Sequence, residues 1–380
     1  MKKWLTLCLL LLPLLAHAQL GDVTYTLTYL GNPTQGQWPD NPFARNMWII
    51  QEYGGRLYLG SGDVASNPGP VYIRTFTPAT GVFSTETIDG INYVLEEELS
   101  QFPILGGNLI TLGIDPQESA DLGNYYAYAP AIGAWHKYRN IPNATHVLDM
   151  TLDLYAPKLL VAGSMQFPSS SVQSSLDGLT WTNVTCNSIE CPLGRYYRFF
   201  ALAGELYVQA RDDLAITRIY RYVPGTDNLI EISSTSTNVM MPNNARRLSD
   251  NNAFANGIVY LAGSIDTGFH PEPVYLMYAT AMGTASIIPS PISVHVSRDI
   301  LVIGTTLYLL THSPTNFWSA VWKTTDLTNW TLVLAFQTIP GSGFARSFTH
   351  YNGYFYFGLG TYTIPLSNAS GWLTRIAYTP

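Results

Sequence analysis

The stretch Gly55-Arg-Leu-Tyr58-Leu-Gly60 decides the fold, because variants of it recur along the whole chain. A clear second copy is Gly257-Ile-Val-Tyr260-Leu-Ala-Gly263. The aligned central positions are 58, 110, 160, 207, 260, 308 and 356, and the spacings between them are 52, 50, 47, 53, 48 and 48 residues. Units of about 50 residues are too small to bury separate cores and must stack on one another. This period predicts a seven-bladed β-propeller.

Each unit repeats one order of strands. In the first unit an apolar stretch, Met47–Tyr53, precedes the glycine turn and the Leu-Tyr strand. A third strand follows, rich in tyrosine in units such as Ile219–Val223, and then a fourth such as Val82–Ile88. Four strands joined by hairpin turns make one blade, so we expect an all-β fold of four-stranded antiparallel blades.

The two ends of the chain predict how the ring closes. The last unit ends after its third strand, Trp372–Tyr378, while Val23–Tyr29 near the N-terminus is a strand that belongs to no unit. Pairing the two would complete the seventh blade and cover an exposed strand edge. We therefore expect residues 19–380 to form one propeller domain.

The composition excludes other classes of protein. Charged residues make up 12% of the chain and aromatic residues 13%, with 31 Gly and 24 Pro, which argues against a helical bundle. An apolar content of 47% argues against disorder. The net charge of −7 gives no support for nucleic-acid binding.

The first 18 residues have the pattern of a secretory signal peptide. Lys2 and Lys3 precede the apolar stretch Trp4–Leu15, and Ala16-His17-Ala18 supplies a cleavage site. No later stretch is long and apolar enough to predict a membrane span. We expect a secreted monomer, either extracellular or periplasmic.

The two cysteines beyond the signal peptide fit an exported protein. Cys186 and Cys191 are close enough in sequence to form a local disulfide in an oxidising compartment. A zinc half-site is the alternative, but no second cysteine pair exists to complete it, and we predict no metal or other cofactor. Glycosylation sequons, which make the chain a candidate glycoprotein, begin at Asn143, Asn183, Asn329 and Asn368.

Two turns between third and fourth strands share a phrase, Ser175-Leu-Asp-Gly-Leu-Thr-Trp181 and Thr324-Thr-Asp-Leu-Thr-Asn-Trp330. It resembles the Asp-box of sialidase-like propellers, S-x-D-x-G-x-T-W, with one residue fewer between Asp and Trp. The resemblance implies a structural role, in which the carboxylate binds turn amides and the indole packs between sheets. The residues to which it applies are Asp177, Trp181, Asp326 and Trp330.

Other turns resemble kelch-like blades as much as sialidases, for example Pro78–Phe83 and Pro130–Trp135. The sialidase motif Phe/Tyr-Arg-Ile-Pro is absent, and Tyr138–Pro142 approaches it only with an additional Asn. The resemblance therefore carries no catalytic residue to this chain.

Arginines precede or begin the innermost strands of five units. The blade geometry brings these starts to one face, at the mouth of the central channel. The arginines are Arg45, Arg198, Arg246, Arg247, Arg298 and Arg346. Several guanidinium groups around one opening suit a carboxylate, sulfate or phosphate, and salt bridging between blades is the alternative.

Acidic and histidine side chains map to the same face. Blades two and three supply Glu96, Glu97, Glu98 and Asp149. Aspartates that follow second strands are Asp63, Asp115, Asp212 and Asp266, and the histidines are His146, His270, His295, His312 and His350. Two such carboxylates could act as acid and base in sugar hydrolysis, and the alternative is that Asp begins a loop by binding backbone amides. We include Asp63, His146 and Asp149 with the arginines as candidate ligand-binding residues.

Aromatic residues assigned to loops are candidates for stacking on sugar rings, or equally for packing between blades. They include Trp38, Tyr125, Tyr126, Tyr196, Tyr197, Phe317 and Trp318. Together these features favour a recognition protein for an acidic glycan or extracellular protein. The alternatives are a glycoside hydrolase or lyase acting on an acidic sugar, and a metal-dependent oxidoreductase.

Overall fold

The protein is a seven-bladed β-propeller of antiparallel sheets, which confirms the predicted fold class. The structure is a computed structural model. It describes residues 25–38, 42–63, 69–119, 121–142, 144–164, 170–186, 195–212, 214, 216–265, 272–293, 295–313, 317–338, 343–361 and 370–378. The predicted signal peptide lies outside these residues. No helix among them is both long and apolar enough to cross a bilayer.

The four antiparallel strands of each blade follow one another outward from the channel in chain order, except that the N-terminal strand Thr28–Gly31 is the outermost strand of blade seven. The strands of blades one to three are Ile49–Tyr53, Arg56–Gly60, Arg74–Thr77 and Val82–Thr85; Ile104–Leu105, Asn108–Leu112, Leu122–Ala129 and Ala134–Pro142; His146–Leu152, Leu159–Ser164, Ser170–Ser175 and Thr182–Asn183. Those of blades four and five are Arg195–Leu202, Glu205–Arg211, Thr217–Val223 and Asn228–Glu231; Arg247–Phe254, Gly257–Ile265, Glu272–Ala279 and Ser286–Ile288. Those of blades six and seven are Val296–Ile303, Thr306–His312, Trp318–Thr324 and Thr331–Gln337; Phe344–Tyr351, Tyr354–Gly360, Leu373–Ala377 and Thr28–Gly31.

The repeated tyrosine of the second strand is buried between neighbouring blades. In five blades it is at most 4% exposed, at Tyr58, Tyr207, Tyr260, Tyr308 and Tyr356. Each ring contributes a large apolar surface to the core, while its hydroxyl needs a polar partner. The Tyr260 hydroxyl, for example, donates to the Met240 carbonyl at 2.7 Å.

The N-terminal strand completes the seventh blade, as predicted. Thr28–Gly31 pairs antiparallel with Leu373–Ala377, and Tyr29 lies opposite Thr374. The rings of Tyr29 and Trp372 meet edge to face, with centroids 5.5 Å apart. Leu27 joins the apolar cluster between blades six and seven. Strand pairing and apolar packing therefore both hold the ring closed.

Two elements depart from the predicted all-antiparallel plan. Thr185–Cys186 forms a fifth strand on blade four, parallel to Asn228–Glu231, so the outer edge of this blade is covered. A short helix, Ser234–Met240, joins blades four and five and places Met240 in their shared core. Because Cys191 lies outside the described residues, the disulfide with Cys186 stays a prediction.

Both Asp-box-like turns are held by their aspartate. Asp177 accepts from the amides of Leu179 and Thr180, each at 2.8 Å. Asp326 accepts from the amides of Thr328 at 2.9 Å and Asn329 at 2.7 Å. These bonds lower the pKa of Asp177 to about 2 and that of Asp326 still further below its ordinary value.

The two tryptophans of these turns pack at blade surfaces. Trp181 meets Tyr125 of blade two edge to face, with centroids 6.3 Å apart, and its indole donates to Asn140 at 3.2 Å. Trp330 packs against one apolar cluster shared by blades five and six and against another in blade six. Both turns therefore connect local backbone order to blade packing.

Closure predicts the effect of removing the first strand. A chain that begins at Asn32 should lose about 3 kcal/mol or more of its free energy of unfolding, because the burial of Leu27 and the pairing of Thr28–Gly31 are lost. It should also self-associate through the uncovered edge of Leu373–Ala377. A chain that begins at Tyr25 is the matched control. Equal denaturation midpoints for the two chains would contradict the closure.

The turn aspartates predict acid sensitivity. A carboxylate whose pKa is lower in the folded than in the unfolded chain stabilises the fold above pH 4, and this contribution is lost as the pH falls to about 2. The double variant Asp177→Asn, Asp326→Asn should therefore lose less stability than the wild type over this window. Thermal unfolding followed from pH 5 to pH 2 measures the difference. Identical pH profiles would show that these turns do not carry the acid sensitivity.

Candidate functional site

A β-bulge recurs in the innermost strand of five consecutive blades, three to seven. In each of these strands one residue is skipped in the pairing with the second strand. The skipped residues are Leu148, Tyr197, Asp250, Arg298 and Arg346. A bulge bends the strand and redirects side chains near it. The bulges therefore place charged side chains near the channel that regular pairing would direct elsewhere.

Arg298 and Arg346, here called the arginine pair, lie against the same aromatic ring. Their guanidinium carbons are 4.9 and 5.0 Å from the centroid of Phe344. Arg346 also lies over Trp48, at 4.6 Å, and donates to the Thr361 carbonyl at 2.7 Å. Both residues are almost buried, at 4% and 8% exposure. Two cations are thus held close together between blades six, seven and one.

The arginine pair concentrates positive charge in a buried position, which lowers the pKa values of neighbouring basic groups. Burial, and then the neighbouring Arg346, lower the pKa of Arg298 well below its ordinary value. Burial and both arginines likewise lower the pKa of His312, which is therefore neutral. The Arg298 Nε donates to His312 Nδ1 at 2.8 Å, so this imidazole fixes the orientation of the guanidinium.

The other candidate arginines have different surroundings. Arg198 donates to Gln101 Oε1 at 2.5 Å and lies 3.6 Å from Asp149. Arg247 lies over the Tyr197 ring at 5.8 Å and interacts with Glu98 and Asp149. Arg45 donates to the Trp38 carbonyl at 3.1 Å. Arg45, Arg198 and Arg247 are therefore in different environments from the arginine pair, and the candidate arginines do not form one uniform ring.

Asp149 links two blades. One of its oxygens accepts from the amide of Phe199 in blade four at 2.7 Å, and the other from its own neighbour Met150. Asp299 repeats this arrangement, accepting from Phe348 of blade seven at 2.9 Å. These two carboxylates therefore connect adjacent innermost strands around the channel.

An acidic cluster occupies the same face at blades one and two. It consists of Asp63, Glu96, Glu97, Glu98 and Asp115. The segment that carries the three glutamates inserts between the ends of two second strands, where Glu98 bridges both Gly62 and Ile114. A Cβ atom on Gly62 would lie 2.3 Å from the Glu97 carbonyl oxygen, so glycine is needed for this close approach. Close packing of the backbone at Gly62 and Ile114 thus brings the acidic residues together.

Burial favours the protonated forms of Glu96 and Glu97, and repulsion from neighbouring acids adds to this effect. The pKa of Glu97 rises to about 8, mainly through burial and then through Asp115 and Asp63. Burial raises the pKa of Glu96 to about 7, although Asn124 and Tyr126 donate hydrogen bonds to it at 2.5 and 2.7 Å.

His146 connects the acidic cluster to blade four. Its Nδ1 lies 3.6 Å from Asp115, and its Nε2 lies 3.5 Å from an Arg195 nitrogen. Burial and then Arg195 lower the His146 pKa to about 3, so the imidazole is neutral. With its proton on Nδ1, the imidazole presents a donor to Asp115, and its unprotonated Nε2 presents an acceptor to Arg195.

The channel itself contains a cavity of about 310 Å³, lined by the innermost strands of six blades and, in blade two, by residues 100–103, which precede the innermost strand. Asp250 and Asp299 both line it. Burial raises the pKa of each carboxyl, and Asp250 raises that of Asp299 further. Asp250 also has a φ of +39°, a conformation that costs energy for a residue other than glycine. The channel wall therefore holds two interacting acids, one of them on a strained backbone.

Several sequence candidates have other roles. Asp212 begins a loop by accepting from the Ile216 amide at 2.8 Å, and it pairs with Arg218. His350 lies toward the opposite end of its strand, where it contacts the Tyr378 carbonyl, so its assignment to the arginine-bearing face was wrong. The tyrosines Tyr125, Tyr126, Tyr196 and Tyr197 lie on strands and are buried, which contradicts their assignment as loop residues. Asp266 and His270 lie outside the described residues.

Three site residues were missed from the sequence, namely Arg195, Asp250 and Asp299. The sequence contains a pattern that could have identified the two aspartates. Asp149, Asp250 and Asp299 each precede the aligned central position of their unit by a similar number of residues. Among the described residues, no three His, Cys, Asp or Glu side chains converge to hold a metal ion.

Comparison with known proteins shows the fold. No family model matches the sequence, and no curated protein matches it. The WD40 repeats of RRP9 superimpose with a TM-score of 0.54 at 8% identity, covering 93% of this chain and 97% of that one. The computationally designed Ika8 protein gives 0.54 at 9% identity, covering 92% and 98%. The polysaccharide lyase Uly1 gives 0.49 at 10%, covering 89% and 91%. At these identities the likeness to RRP9 and Ika8 establishes the propeller architecture alone.

The strained acid predicts a stabilising substitution. Because the folded pKa of Asp250 is above the unfolded one, its ionisation opposes folding, and stability falls as the pH rises from about 4 toward the folded pKa. Asp250→Asn removes this term and keeps a residue type that tolerates positive φ. We expect the Tm at pH 7 to rise by about 2 °C or more, with a flatter pH profile. A lower Tm would instead show that Asp250 stabilises the fold through Arg198 and Arg247.

Proposed function

We propose that this protein is a recognition propeller that binds an anionic ligand, an acidic glycan or an acidic protein segment, at its arginine-bearing face. The arginine pair, Arg298 and Arg346, is the centre of the proposed site. The observation that carries the proposal is their shared position against Phe344, where two guanidinium groups interact repulsively in a buried setting.

The chemistry of the pair suits a carboxylate or sulfate. A bound anion would offset the repulsion between the two cations, and each planar guanidinium can donate two parallel hydrogen bonds to it. His312 and Thr361 already hold the two groups in place, so little ordering of side chains is needed on binding. Phe344 and Trp48 supply apolar surface beside the charges.

Secretion would bring this site to extracellular or periplasmic ligands. That part of the proposal depends on the signal-peptide pattern of residues 1–18. The proposed disulfide between Cys186 and Cys191 fits the same compartment.

Loss of either arginine should weaken binding. We expect Arg298→Gln and Arg346→Gln each to lower the affinity for the best acidic oligosaccharide at least tenfold, because one charge-assisted contact is lost. Oligogalacturonate, chondroitin sulfate and sialyllactose are suitable probes on an array, followed by titration calorimetry. Affinity in the wild type should also fall as salt concentration rises.

Two variants make this test specific. Arg221→Gln is the matched control, because Arg221 is 38% exposed and pairs with Glu205 on an outer part of blade four. Arg346→Lys keeps the charge but removes the planar fork, so it should bind with intermediate affinity. Unchanged affinity in both glutamine variants would contradict the proposed site.

A glycoside hydrolase or lyase remains the second candidate, favoured by one observation. The interacting carboxyls of Asp250 and Asp299 line the channel cavity and both have raised pKa values. Paired carboxyls whose protonation states differ can act as acid and base on a glycosidic bond. Turnover of the same oligosaccharides that stops in Asp299→Asn would establish this activity over binding alone.

A further inference from the structure

The acidic cluster concentrates negative charge at blades one and two, on the same face as the proposed anion site. Asp63, Glu97 and Glu98 are 3%, 6% and 1% exposed. Ionised carboxylates removed from water are costly unless a positive charge accompanies them. On the blade-four and blade-five side, Arg195 interacts with Asp115 and Arg247 with Glu98. These two arginines offset the negative charge of Asp115 and Glu98.

Glu97 differs from the other members of the cluster. Its carboxyl receives no hydrogen bond from the residues that the structure describes, and its charged neighbours are Asp115, Asp63, Glu96 and Glu98. Next to it, Glu96 Oε2 is also buried without a hydrogen-bonding partner among the described residues. Glu97 as a residue is only 6% exposed and its charged neighbours are all acids, which is the arrangement that a bound cation would satisfy.

The spread of these carboxyls favours an organic cation over a metal ion. Within the described part of the chain, the acids do not converge in threes at metal-binding distance. An ammonium group has three donors and a guanidinium group five, which point in different directions and can reach acceptors that are farther apart. Because these acidic residues are almost buried, the charge must also stand at the end of a narrow, flexible stem, as in lysine and arginine.

We propose that the acidic cluster binds a lysine or arginine side chain of a partner polypeptide, with Glu97 as its principal ionic partner. The site is separate from the arginine pair and does not depend on the proposed anion site. A ligand that used both would carry groups of opposite charge.

Protonation of Glu97 gives the site a characteristic pH dependence. At pH 7 a carboxyl with a pKa of about 8 is mostly protonated, so binding of a cation should release a proton. Binding should therefore strengthen between pH 6 and pH 8. The other titratable or charged groups of the cluster and its surroundings come from blades one to five, namely Asp63, Glu96, Glu98, Asp115, Glu118, Lys137, His146, Arg195 and Arg247.

The test uses small cations as probes. Nα-acetyl-arginine methylamide and Nα-acetyl-lysine methylamide are titrated into the mature protein by calorimetry, in buffers of different ionisation enthalpy, with calcium chloride as the competing probe. We expect at least one amide to bind with proton release, and Glu97→Gln to weaken it at least tenfold and abolish that release. Asp63→Asn is the second variant and should also weaken binding.

Two controls keep this result separate from the anion site. Glu205→Gln removes an outer, 42% exposed carboxylate and should leave binding unchanged. Arg298→Gln should also leave it unchanged, whatever its effect on acidic oligosaccharides. Binding of calcium but of neither amide would overturn the proposal in favour of a metal site. Amide binding that is unaltered in Glu97→Gln, or absent from the wild type, would overturn it as well.

Discussion

Closure of the ring is the constraint on which the rest of this structure depends. A single blade buries its second strand only because another blade covers it, and the seventh blade has no complete sheet until Thr28–Gly31 pairs with Leu373–Ala377. The repeated buried tyrosines show the same dependence, since their rings lie between sheets. Each innermost strand is therefore held by neighbours on both sides, and it can tolerate a bulge that an isolated hairpin could not.

The bulges place charged side chains on one face of this closed ring. They occur where Arg298, Arg346 and Asp250 are presented, close to the channel or its mouth. Burial then acts on both signs of charge. It lowers the pKa of Arg298 and raises that of Glu97, so like charges are held together at a cost in stability. These two sectors of opposite charge lie on one face, and the two proposed binding sites are based on them.

The architecture was predictable because its signal is local and periodic. Tyr58, Tyr260 and their equivalents recur at a regular spacing because the second strand of every unit packs in the same environment between two blades. Ring closure was also predictable, because an unassigned strand at one end matched a missing strand at the other. The Asp-box-like turns could be recognised in the sequence because their hydrogen bonds join residues only two or three positions apart.

The site was less predictable, because its geometry depends on long-range register. Arg198 and Arg298 look equivalent in sequence, but only Arg298 is the skipped residue of a bulge, and Arg198 instead meets Asp149 and Gln101. Asp250 was missed because its buried interaction with Asp299 joins two different blades. The fifth strand at Thr185–Cys186 was missed because a two-residue parallel pairing leaves no periodic pattern.

The closing strand also imposes an order of events on folding. The side-chain amide of Asn32, just after that strand, reaches the carbonyl of Ser370, 338 positions later. During synthesis the first strand therefore waits for nearly the entire chain before its partner exists. Contacts this distant in sequence make folding slow, and in the interval Thr28–Gly31 is without its strand partner and open to other chains. The seam that stabilises the finished ring is thus the last part to form and the most vulnerable to aggregation before it does.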